Sequence, residues 1–198
     1  MQPSSGGIYH IQFFCLIMNE INQNIRTDNY TLTEATVWFL EMHSPPAFAP
    51  ADKTDAVFVL LPKPLTAVQY KYYYYHVGFQ YNWLDRLVMP EDELLQKIND
   101  SRVEIYVMQI NGKDAGYAEF LFTGDYTEIV YFGLFPDFVG KGYGKFFLHW
   151  VVTKAWAYNP KWIQLNTCSL DHENALPVYK SLGFEVVHTT SEMRKILN

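Results

Sequence analysis

The sequence predicts a mixed α+β fold built around one central sheet, and three observations carry that prediction. Two glycine turns, Asn111-Gly112 and Gly124-Asp125, join three strand-like runs into an antiparallel meander. Beyond them, helical and strand-like segments alternate in units of βαβ character. At 198 residues, 49% of them hydrophobic, the chain is long enough to bury one substantial core.

Taken in order, the first 64 residues are the least legible. Residues 11–18 form an apolar run that is too short and interrupted to span a bilayer and has no basic leader, so it reads as a strand or an unpacked tail. Residues 36–42 and 56–61 are strand-like, each followed by a proline-bearing loop, and read as a hairpin or paired strands. Pro45, Pro46 and Pro50 exclude a continuous helix between them. After Pro64, residues 65–78 read as a helix stopped by Gly78. Its four consecutive tyrosines, 72–75, wrap all round it, so some of them face a partner or a cavity. Residues 90–98 carry proline and acids at the start and Lys97 in the last turn, the signs of a short helix. Strands follow at 103–110, 116–122 and 127–134, then a helix at 143–158 that Asn159-Pro160 ends. A strand at 162–168, a helix at 174–182 stopped by Gly183, and two short strands at 184–188 and 192–196 complete the order. Residues 1–64 are therefore expected as an extension packed on a main domain at 65–198.

Composition narrows the function classes. A net charge of −6, with no dense Lys/Arg cluster, argues against a nucleic-acid partner and suits a cationic small substrate. Cys15 and Cys168 are the only cysteines and neither belongs to a CxxC, so no metal site and no disulfide framework follows. A reducing, cytoplasmic setting without membrane attachment is expected. The aromatic content of 17% calls for a large apolar pocket or an aromatic-lined interface, and the latter makes a homodimer an expectation.

The most informative segment is 128–148, an apolar strand, a bend with glycines at 140, 142 and 144, and an amphipathic helix. Glycines free the backbone to turn there, and N–H groups at a helix start attract an anion. Neither a P-loop nor a GxGxxG fits, because Phe146 and Phe147 stand where those motifs need Lys-Ser/Thr or glycine. Some 30 residues later comes Asn174-Ala175-Leu176-Pro177-Val178-Tyr179-Lys180-Ser181-Leu182-Gly183-Phe184. Together the two motifs resemble the GNAT superfamily of acetyl-CoA-dependent N-acetyltransferases, over roughly residues 65–198. The resemblance implies a mostly antiparallel, twisted sheet flanked by helices, with splayed strands forming a slot for coenzyme A. It departs from the family pattern at Val139, which stands where Arg or Gln is usual, so recognition of the diphosphate is expected from backbone donors.

The resemblance also implies roles. Tyr179 stands at the position of the general acid that protonates the leaving thiolate, and a phenol of ordinary pKa about 10 is protonated at neutral pH. Glu128, which opens the strand before the loop, is the first candidate for general base, with Glu119 on the preceding strand as the rival. Side by side, two carboxylates would raise one pKa and attract an ammonium. Main-chain groups of Phe132, Gly133, Leu134 and Phe135 are expected to pair with the pantetheine amides, as extended ligands do at sheet edges. The loop Val139, Gly140, Lys141, Gly142, Tyr143, Gly144 and Lys145 would hold the diphosphate. Asn174 would contact the coenzyme arm or cap its helix. On the acceptor side, Trp83, Arg86 and Tyr75 are candidates for shaping the substrate site. A catalytic pair of Cys168 with His172 is disfavoured, because Cys168 ends a core strand.

The resulting expectation is an N-acetyltransferase moving the acetyl group of acetyl-CoA to a primary amine of a small molecule or peptide, by direct attack in a ternary complex. The alternatives are a non-catalytic acyl-CoA-binding or interaction module on the same fold, and a docking role for the aromatic N-terminal third.

Overall fold

The computed structural model describes residues 30–46 and 55–197, and its elements follow the runs of branched and aromatic residues closely. The strands are β1 (Tyr30–Met42), β2 (Ala56–Leu60), β3 (Val103–Ile110), β4 (Lys113–Phe122), β5 (Tyr126–Leu134), β6 (Trp162–Cys168) and β7 (Glu185–Leu197). The helices are α1 (Ala67–Gly78), α2 (Asp85–Val88), α3 (Glu91–Ile98), α4 (Tyr143–Trp156) and α5 (Ala175–Ser181). All seven strands share one sheet in the order β2-β3-β4-β5-β6-β1-β7. Every neighbouring pair is antiparallel except β5 with β6.

Period-two alternation divides β3, β4 and β5 between two cores. Met108, Ala118, Phe120 and Ile129 pack with Phe147, Leu148, Val151 and Val152 of α4 on one face. Ile105, Val107 and Tyr117 pack with Tyr70, Tyr74 and Val77 of α1 and Leu94 and Ile98 of α3 on the other. Of the tyrosine run only Tyr74 is fully buried, beside Tyr70 one turn earlier, at 1% and 0% exposed. Among the described residues, Tyr30 and Tyr158 are the exposed aromatics, while Tyr72, Tyr73, Tyr75, Tyr81 and Trp83 are half-buried.

Three expectations are corrected. Residues 36–42 and 56–61 are not partners: β1 lies between β6 and β7, while β2 pairs with β3 at the far end of the sheet. The cause lies in burial, because β1 places Ala35, Val37, Leu40 and Met42 in the core, whereas five-residue β2 exposes Val57, Val59 and Leu60 as an edge. Strands on both sides of residue 64 therefore belong to the same sheet. The two closing strands are one, since Thr189, Thr190 and Ser191 keep register against Trp38, Val37 and Thr36. Helix α1 begins two residues later than expected, where Thr66 and Gln69 form a reciprocal capping box. The run at 11–18, Cys15 and Pro50 lie outside the described residues. Among the described residues no helix is long and apolar enough to cross a membrane.

Candidate active site

A single extra residue opens the site. Between β4 and β5, Phe120 faces Ile129 and Glu119 faces Tyr131, which leaves Val130 without a partner in the register. Such a β-bulge bends its strand and re-aims the residues beyond it. On the other edge of β5, parallel pairing with β6 runs only from Tyr126↔Trp162 to Glu128↔Gln164. From Ile129 onward β5 has left β6, and a cavity of about 440 Å³ fills the gap, walled by residues 129–134 of β5 and by Leu165 and Asn166 of β6. The splay inferred from the family resemblance thus has a local cause. Helix α1 lies against this wall so closely that a Cβ on Gly133 would sit 2.3 Å from Cγ1 of Val77.

The glycine loop forms one end of the cavity. Gly140 and Gly142 take φ of +77° and +79°, conformations that favour glycine, and Gly142 is the N-cap of α4 with no side-chain cap bond. The N–H groups of the first turn of α4 therefore have no capping side chain, and they carry the positive end of a 14-residue helix. Val139, Gly140, Gly142, Gly144 and Lys145 all line the cavity, as do Phe132, Gly133, Leu134 and Asn174. Asn174 makes no side-chain cap bond to α5, so its amide is left for the cavity. Phe135, Lys141 and Tyr143 do not line this cavity. Phe135 is buried and ties its N–H to the Ala115 carbonyl at 2.8 Å. Lys141 places Nζ 5.7 Å from the Phe138 ring centroid, and the Tyr143 hydroxyl donates to the Asp55 carboxylate.

At the other end stand Tyr179, Asp171 and His172 with the rings of Tyr81, Trp83 and Tyr131. Burial, and secondarily the charge of Asp171, raise the Tyr179 pKa well above the ordinary phenol value, so this hydroxyl keeps its proton. Asp171 is held firmly: Oδ1 accepts from Trp83 Nε1 at 2.9 Å, and Oδ2 accepts from Thr167 Oγ1 at 2.7 Å and Cys168 N–H at 2.8 Å. The Asn174 N–H donates to His172 Nδ1 at 3.1 Å, which places the proton of a neutral imidazole on Nε2. His172 in that state is a donor rather than a base. The Cys168 thiol is pushed up by burial and by Asp171, consistent with an inert thiol.

A second cavity of about 240 Å³ adjoins the first and shares Tyr81, Trp83, Val130, Tyr131, Asn166 and Asp171 with it. It continues past Asp85 to Arg194 and Lys195 of β7. Trp83, an expected substrate-shaping residue, lines both cavities. Arg86 and Tyr75 line neither cavity. Tyr75 stacks on Phe79 at 4.5 Å, and Arg86 is buried with Nη2 donating to Glu119 Oε1 at 3.2 Å.

The two candidate bases also lie off both cavity walls. Glu119 is 1% exposed and accepts from Tyr70 Oη at 2.6 Å and from Arg86, beneath Tyr131. Glu128 sits at the vertex of the splay, opposite Leu121 rather than Glu119. The expected side-by-side carboxylates are thus not formed. Both pKa values are raised, by burial first, with the Glu128 charge a lesser influence on Glu119. Sequence reasoning gave Asp171 no role of its own, although it lay next to His172 in view and lines both cavities. Only the fold brings Trp83, 88 residues earlier, onto it.

An unpartnered strand edge and an uncapped helix start opening on one cavity suit a ligand with an amide-bearing arm and a diphosphate. The sequence pattern of the Acetyltransferase (GNAT) family matches residues 68–184, more than half of the chain. The chain belongs to the GNAT acetyltransferase family. Members are acetyl-CoA-dependent N-acetyltransferases, and the mixed fold with its mostly antiparallel sheet agrees with GNAT structures. A GCN5-related N-acetyltransferase from Sphaerobacter thermophilus aligns with a TM-score of 0.61 at 14% identity, over 91% of this chain and 56% of that one. The ribosomal-protein-S18-alanine N-acetyltransferase of Escherichia coli aligns at 0.52 and 14% identity, over 72% of this chain and 95% of its own. An aminoglycoside acetyltransferase from an uncultured soil metagenomic sample, in complex with sisomicin, aligns at 0.53 and 14% identity, over 68% and 93%. This GNAT chain thus spans little more than half of the Sphaerobacter protein but nearly all of the two shorter enzymes. Identities this low speak to the fold alone. No curated protein sequence matches the chain.

Proposed function

We propose that this GNAT protein transfers the acetyl group of acetyl-CoA to a primary amine of a small molecule or peptide, by direct attack in a ternary complex. The observation that carries the reading is the meeting of two differently built cavities at Trp83, Tyr131 and Asp171, with Tyr179 on the wall of the larger one. Acetyl-CoA supplies the activated thioester. The β6-facing edge of residues 131–134 holds its amide arm, and the α4 start with Lys145 holds its diphosphate. Val139 offers no donor, so anion recognition falls on the backbone.

The acceptor enters as an ammonium attracted by Asp171 and the surrounding rings. It gives up one proton to solvent before its nitrogen attacks, because Glu119 and Glu128 lie off both cavity walls. Tyr179 Oη, kept protonated by its surroundings, donates to the sulfur as the C–S bond breaks. The His172 Nε2–H adds a second donor at this end. The nitrogen's remaining surplus proton balances the one delivered to the thiolate.

The test is thiol release from acetyl-CoA across an amine panel, with acetyl-CoA affinity measured alongside. Turnover with at least one amine, abolished or strongly reduced by Tyr179→Phe, is expected. Tight acetyl-CoA binding with no turnover for any amine would instead identify a non-catalytic acyl-CoA-binding module.

A further inference from the structure

We infer that the acceptor is an amine with no anionic group beside it, and that the site refuses amino acids because Asp85 and Glu192 neutralise the guanidinium of Arg194 on its wall. The inference rests on the acetyl-transfer reading above and adds which amines are turned away. The cavity of about 240 Å³ that runs from Asp171 to Arg194 has carboxylates in excess over available cations.

At the inner end, Asp171 Oδ2 is occupied by Thr167 and Cys168, while Oδ1 accepts only from Trp83. A carboxylate oxygen has capacity for a further donor, so Oδ1 is open to an ammonium. No cation among the described residues pairs with Asp171. Tyr74, Trp83 and Tyr131 line the same space, and aromatic rings favour a cation. Arg86 lies against the Tyr131 ring but off the cavity wall, and its guanidinium is committed to Glu119.

The outer end has nothing to offer an anion. Arg194 Nη1 lies 3.4 Å from Asp85 and Nη2 2.8 Å from Glu192, two carboxylates to one guanidinium, and its Nε is shut from solvent and so from a ligand. Lys195, the next residue on β7, turns to the opposite side of the sheet, with Nζ 5.0 Å from the Tyr30 ring centroid. The carboxylate of an amino acid lies within a few bonds of its amine. Bound for acetylation, it must enter beside Asp171 with no free cation to answer it, and like charges brought together in this way reject a partner. A hydroxymethyl or amide group in place of the carboxylate keeps the shape and removes the repulsion.

The experiment uses the whole chain with acetyl-CoA and matched acceptors: amino acids, the amino alcohols in which a hydroxymethyl group replaces the carboxylate, and the amino-acid amides that stand for a peptide N-terminus. For wild type, kcat/KM for the alcohol should exceed that for the acid by about tenfold or more, the factor that 1.4 kcal/mol produces. The amide arm tells a peptide acceptor from a small molecule, and a preference for either uncharged form over the acid supports the inference. In Asp85→Asn/Glu192→Gln, which frees both Nη groups of Arg194, the ratio of uncharged form to acid should fall towards one, and adding Arg194→Gln should raise it again. Because the ratio is taken within each protein, a general loss of rate does not disturb it. Acid turned over by wild type as well as or better than both uncharged forms overturns the inference while leaving acetyl transfer standing. So does a ratio unchanged in the double variant, or one that stays low once Arg194 is removed. Acetyl-CoA binding with no acceptor consumed overturns both.

Discussion

The proposed donor slot and the proposed acceptor cavity meet at Trp83, Tyr131 and Asp171, yet they are made of different material. The slot is mostly backbone: a strand edge released by one bulge, two glycines at positive φ, and the start of α4. The acceptor cavity is mostly side chains, several of them fixed by long-range bonds such as Trp83 to Asp171 and Arg194 to Asp85. Backbone recognition tolerates sequence change, which is how Val139 can stand in a coenzyme loop. Side-chain recognition does not, so the acceptor side is where one member of a fold differs from another.

That contrast can be broken first beneath the acceptor cavity. Arg86→Met should leave Glu119 buried without its cation and cost about 3–5 kcal/mol in urea unfolding, with Glu119→Gln in the same chain restoring part of the loss. Tyr179→Phe should lower kcat by about a hundredfold while the acetyl-CoA dissociation constant, measured by titration calorimetry, stays within about twofold. An equal loss in both would mean that Tyr179 belongs to the slot and not to the junction. Gly142→Ala should cost about 1–2 kcal/mol, since alanine must adopt φ near +79°, and should weaken acetyl-CoA more than it changes the acceptor's KM. The smallest effect is a slope. Glu128 has a folded pKa above its unfolded value, so its contribution to stability is greatest in acid and declines as pH rises from about 4.3 through the folded value. Glu128→Gln should therefore gain stability relative to wild type across that interval, read from melting curves at stepped pH. A difference constant with pH would show that burial does not govern this carboxyl.

The two regions also differed in how far they could be read in advance. Gly140, Gly142, Lys145, Asn174 and Tyr179 were legible because their roles depend on neighbours within a few residues: a turn, a helix start, a short motif. The bulge at Val130 was not, because it exists only in the register of β5 against β4. Glu119 and Glu128 looked like bases by position along a strand. Which way each carboxyl turns is decided by the core that receives it, and for Glu119 that core contains Tyr70 and Arg86. Asp171 and Arg194 acquire their places from residues 88 and 109 positions away. The pairing of 36–42 with 56–61 failed for the same reason, since β1 takes its partners β6 and β7 from more than 100 residues away.

The position of β1 has a consequence for the order in which this molecule is made. Its partners β6 and β7 are synthesised long after it, and the bond from Ser191 to Glu34 closes a separation of 157 residues. Contacts so distant in sequence form late. Until β7 is made, the edge of β1 that it covers from Tyr30 to Glu41 has no partner in the sheet, and such an edge is a template for pairing with another chain.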